Sequence, residues 1–150
     1  MADTRTQLEV EDWIRRNWMP AHFGKRFSRE RLKLRSGGVF DFDAVSEDGS
    51  IIATISTSGS KTSGLKHAVG KILKLGSDML FLTMADADRR VSVLSERDMF
   101  DQCKKESAGG RVPPEVEFVC AEIPDELRAR LITARLRASG ESSGRTDAAT

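Results

Sequence analysis

The stretch "FDFDAVSEDGSIIATISTSG", Phe40 to Gly59, decides how the chain is read. Two runs of β-forming residues flank Asp48-Gly49, a dipeptide that favours the tight turn of a β-hairpin. With a two-residue turn there, Glu47 pairs with Ser50, Val45 with Ile52, Asp43 with Thr54 and Asp41 with Ser56. Because side chains alternate along a strand, the six residues of the last three pairs share one face of the sheet. Phe40, Phe42, Ala44, Ala53 and Ile55 then form an apolar face to bury. The polar face gathers two carboxylates and two hydroxyls, provided no bulge slips the register.

On the N-terminal side, "TQLEVEDWIRRNWMP" spaces Val10, Trp13, Ile14 and Trp18 as one face of a helix that Pro20 is expected to end. A basic connector follows, in which Leu32 and Leu34 alternate with Arg31, Lys33 and Arg35 as a strand with one wet face. Gly37 and Gly38 turn the chain into the hairpin.

On the C-terminal side, "LKHAVGKILKLG" predicts a helix that buries Leu65, Val69, Ile72 and Leu73 and ends at Gly76. "DMLFLTMA", from Asp78, is apolar enough for a strand covered on both faces. "SERDMFDQCKKE" predicts a helix opened by a capping box of Ser95 and Asp98. "VEFVCAEI" is a further strand, and "PDELRARLITARLRAS" a helix with Pro124 at its start. The small, polar residues 139–150 suggest a disordered tail. The resulting order, helix, three strands, helix, strand, helix, strand, helix, predicts a single α/β domain over residues 1–138. Its mixed sheet of four to five strands would be flanked by helices.

Bulk properties narrow the function classes. A hydrophobic content of 39% and charged content of 31% fit a soluble globular chain. No apolar run reaches the ~20 residues a bilayer span needs, and no signal-peptide core precedes the first helix. The cysteines, Cys103 and Cys120, lack metal-ligand spacing and read as small packing residues, so a reducing cytoplasm is the expected location. The net charge of +1 is unevenly distributed: Arg15 to Ser77 holds twelve Lys or Arg against five acids. The segment between Asp48 and Asp78 has no acid at all. Within it Lys61, Lys66, His67, Lys71 and Lys74 form a candidate surface for a polyanion, DNA above all.

The helix, the three-strand meander and the following helix and strand together resemble the PD-(D/E)xK, or restriction-endonuclease-like, superfamily. The likeness covers roughly Leu8 to Thr83 and rests on architecture more than on letters. It implies an aspartate on the second strand and an E-x-K on the third, which bind Mg2+ beside a scissile phosphate. Asp43 matches the aspartate, Thr54-Ile55-Ser56 stands where E-x-K would be, and Glu11 matches a glutamate that many members carry on the first helix. Two carboxylates would fix the cation, and a lysine would offset the charge developing in the transition state. Thr54 and Ser56 supply neither charge, so the implied site is degenerate. Asp41 as a second metal-binding acid, with Lys61, Lys66 or Lys71 as a migrated lysine, would repair it. The resemblance thus implies nucleic-acid binding with a degenerate pocket, a rearranged Mg2+-dependent nuclease, or an accessory domain that has lost both activities.

Other motifs are absent. Gly64 is followed by Leu65 and Lys66, so the P-loop pattern fails, and "ISTSGS" holds no G-x-S-x-G elbow. Asp86 and Asp88 in "MADADRR" read as an acidic loop.

Overall fold

The computed structural model describes residues 4–59 and 69–149, with side chains over 4–59 and 74–137. It is an α/β arrangement built on one five-stranded sheet in the order β1-β2-β3-β4-β5. The strands are β1 (Phe27–Lys33), β2 (Val39–Ser46), β3 (Ile51–Ser56), β4 (Arg89–Leu94) and β5 (Val116–Cys120). β1 to β3 form the antiparallel meander, whereas β3, β4 and β5 run parallel. Parallel neighbours cannot be joined by a tight turn, so each crossover carries a helix. These are α3 (Val69–Met84) and α4 (Arg97–Ala108).

The hairpin keeps the register read from its sequence, with Ala44 opposite Ala53 and Val45 opposite Ile52. Its turn is tied by the Gly49 N–H donating to the Ser46 carbonyl at 2.8 Å. Gly49 has φ 73°, a left-handed conformation that glycine adopts without steric cost. The Asp48 carboxylate accepts from Lys25 Nζ at 2.6 Å and from the Ser50 hydroxyl at 2.7 Å, which holds its pKa well below the ordinary carboxylate range.

Further along β2 the register changes. Ser28 faces Val45 but Glu30 faces Phe42, so Asp43 and Ala44 together oppose the single residue Arg29. This β-bulge reverses the alternation. Phe42 and Val45 therefore enter the same core, and Ala44 enters the other. The expected single apolar face of Phe40, Phe42, Ala44, Ala53 and Ile55 is thus divided between both sides of the sheet.

Two cores result. On one side α1 (Arg5–Trp13) and α5 (Asp125–Ala149) cover the sheet through Val10, Ile14, Ala53, Ile55, Val91, Val93 and Leu131. On the other, α3 and α4 cover it through Phe42, Val45, Ile52, Leu75, Leu82, Leu94 and Met99. Burying Phe42, Ile14, Ile52 and Leu82 contributes about 1.5–3 kcal/mol per side chain before conformational entropy is counted.

Several local expectations are corrected. Pro20 does not end the first helix, which passes through a π-helical turn at Ile14–Trp18 into α2 (Met19–Phe23) and stops at Gly24, φ 73°. Pro20 falls at the start of α2, and the widened turn ahead of it accommodates a ring that donates no hydrogen bond. "DMLFLTMA" is the second half of α3, not a strand. Leu75 and Leu82 lie seven residues apart on its buried stripe, and Gly76 sits within the helix with open space around its Cα. The strand is instead Arg89–Leu94, where Val91 and Val93 face one core and Leu94 the other. At α4 the N-cap is Glu96 with no side-chain cap; the Ser95 hydroxyl donates to the Glu96 carboxylate at 2.9 Å. The α5 backbone is helical over Asp125–Ala149. No described helix is long and apolar enough to cross a membrane.

Candidate functional site

Beyond the Ala44–Ala53 pair, the bulge leaves Asp43 at the rim of a pocket of about 400 Å³. α1 supplies Gln7, Leu8 and Glu11, the end of β3 supplies Ile55 and Ser56 with the following Thr57 and Ser58, and α3 supplies Lys74, Leu75 and Asp78. The pocket is therefore bordered by helices from opposite faces of the sheet. Asp43 lies between them.

Asp43 is fixed by its backbone surroundings. Its Oδ2 accepts from the Ile55 N–H at 2.8 Å, and its carbonyl accepts from Arg15 Nε at 2.7 Å. Glu11 is hydrogen-bonded to the Asp43 side chain, and burial, then the charge of Asp43, push its pKa up to about 7. Arg15 opposes that shift: its Nη2 donates to Glu11 Oε1 at 2.9 Å and its Nη1 to Asp12 Oδ1 at 3.2 Å. On the far wall, burial raises the pKa of Asp78 while Lys74, 3.5 Å away, pulls it down.

The residues proposed from sequence divide into three groups. Asp43, Glu11, Ser56 and Lys74 line the pocket. Asp41 and Thr54 do not. Asp41 is exposed, two residues before the bulge, and holds Arg31 through bonds of 2.7 and 3.2 Å, which lower its pKa. Thr54 is buried beside Ser92 of β4, and neither hydroxyl finds a hydrogen-bond partner among the described residues. Lys61, Lys66 and His67 lie outside the described residues, as does the side chain of Lys71. Two pocket groups escaped the sequence reading. Arg15 was signalled only by its i,i+4 spacing from Glu11, and Asp78 was hidden by its assignment to a strand.

The basic surface is largely matched by acids. Lys25 pairs with Asp48, Arg31 with Asp41 and Arg35 with Asp86. Arg29 and Lys33 are also exposed along β1.

The donor set does not fit the implied Mg2+. A hard cation of this size needs several free oxygen ligands in near-octahedral arrangement. Here Glu11 is engaged by Arg15 and Asp43, Asp43 holds a backbone amide, and Asp41 is turned to solvent. Among the described residues no set of three His, Cys, Asp or Glu side chains is placed to hold a metal ion. No family model, curated protein or solved structure matches this chain.

Proposed function

We propose that the chain is a nucleic-acid-binding domain of restriction-endonuclease-like architecture whose catalytic pocket is degenerate. One observation carries the reading. The bulge on β2 brings Asp43 against Glu11 of the first helix, in the pocket where the resemblance calls for metal-binding acids. Ser56 and Thr54, at the positions of the remaining motif, supply a neutral hydroxyl and a buried one. Ion pairs absorb much of the basic excess from Arg15 to Ser77, and the exposed Arg29 and Lys33 of β1 are what support a polyanion as the partner. Contacts of this kind position a nucleic-acid backbone and carry no sequence information by themselves.

A second reading, a rearranged metal-dependent nuclease, draws on Lys74 and Asp78, which add an ammonium and a carboxylate to the same pocket from α3. Incubation with plasmid and single-stranded DNA, in Mg2+ or Mn2+, separates the two. The binding reading expects retarded but intact DNA, with affinity falling steeply as salt rises. Cleavage that needs metal and is abolished by Asp43→Ala would replace it with the nuclease. Absence of binding at low salt would refute both.

A further inference from the structure

We propose that Arg15 is the resident counter-cation of this pocket, its guanidinium supplying the positive charge that a divalent metal would otherwise bring to Glu11 and Asp43. The inference rests on reading that acid pair as the remnant of a nuclease-like site, and it adds that the pocket works without metal.

The placement of Arg15 is the first argument. It is the second residue of the π-helical turn, and both it and its neighbour Ile14 are buried against the sheet. Its side chain is only 10% exposed, whereas that of Arg16 is 74% exposed. An always-charged group is not buried without compensation. Its fork is spent on the Asp43 backbone carbonyl and on the carboxylates of Glu11 and Asp12, so one guanidinium joins the helix to the bulge and pairs with the Glu11 member of the acid pair.

The second argument is the charge balance. A bare pair of carboxylates would repel a phosphate backbone. The Arg15 guanidinium, 2.9 Å from Glu11, offsets part of that charge without an added ion. The surrounding groups reinforce the balance: Arg29 acts on Glu11 from β1, and Lys74 faces Asp78 from α3. The third argument is the coordination geometry, since one oxygen of each acid, Glu11 Oε1 and Asp43 Oδ2, is already bound to a protein donor.

The test is Mn2+ binding by the protein alone, followed by electron paramagnetic resonance. Wild type should show no Mn2+ binding that Asp43→Asn abolishes. Arg15→Met should gain such binding, about tenfold or more tighter than any nonspecific Mn2+ binding of wild type, and Arg15→Lys should not. Wild-type binding lost in Asp43→Asn would overturn the proposal, and so would a folded Arg15→Met that gains nothing. The wild-type arm decides even where Arg15→Met fails to fold. A parallel oligonucleotide titration should be indifferent to EDTA in wild type. In Arg15→Met it should be weak in EDTA and restored by Mg2+. Failure of wild type to bind any oligonucleotide would refute the nucleic-acid reading, while the Mn2+ result would still judge Arg15.

Discussion

Replacing Glu11 by Gln should change how stability depends on pH, and the structure gives both sign and size. The folded protein holds the Glu11 pKa at about 7, above the ordinary 4.5, because the group is buried beside Asp43. Below pH 4.5 folded and unfolded chains both carry the proton, and Glu11 contributes no pH dependence. Between pH 4.5 and 7 the unfolded chain releases the proton while the folded chain retains it, so stability falls as pH rises. Above 7 the loss is complete. A shift of this size corresponds to about 3 kcal/mol in a fully shielded site. Solvent at the pocket mouth reduces this to about 1–2 kcal/mol. Gln keeps an oxygen for Arg15 and cannot ionise, so Glu11→Gln should match wild type near pH 4 and exceed it by that amount at pH 8. Urea denaturation of both proteins across pH 4–8 measures the difference, in which most other titrating groups cancel. A difference that stays constant over the window, or one that favours wild type at high pH, would refute the burial argument.

Three further substitutions test other parts of the structure. Thr54→Val keeps shape and removes a buried hydroxyl that has no partner among the described residues, so it should raise stability by about 1 kcal/mol in urea denaturation; a loss would mean that the hydroxyl is satisfied. Phe42→Ala empties a fully buried site next to the bulge and should cost about 3–5 kcal/mol, read as a lowered denaturation midpoint. Glu96→Gln removes the carboxylate that receives Arg128 at 3.2 Å and Arg135 at 2.6 Å; calorimetry should show a loss of about 2–3 kcal/mol, and no loss would mean that both arginines relax into solvent.

The meander was legible because its signals are local. Asp48-Gly49 punctuates two β-forming runs, and the paired residues count outward from it. The bulge was not legible, because nothing in "FDFDAV" marks where β1 must accommodate an extra residue; the cross-strand partner Arg29 decides it. The exchange of helix for strand after Ser77 has a different cause. An apolar run of eight residues suits a buried helix as well as a buried strand, and only its contacts with the sheet decide. The true strand, "RRVSVL", was obscured by two arginines at its start. Arg89 pairs with Glu117 on β5, and Arg90 donates to the Leu82 and Ala85 carbonyls at the end of α3, so both charges are absorbed by neighbours distant in sequence. At the pocket, Asp43 and Glu11 were found through a resemblance in architecture. Asp78 required knowing that α3 continues past Gly76.

The buried Glu96 carries a consequence beyond its own stability. Arg135 of α5 reaches both Glu96 and the Thr57 carbonyl, and Thr57 belongs to the pocket wall. The last helix thus acts as a strut for a cleft to which, among the described residues, it contributes no lining side chain. A chain shortened to end before Arg135 would keep every strand of the sheet and lose the brace on one side of the opening. Ligand affinity would then fall together with the stability that the Arg135–Glu96 ion pair supplies.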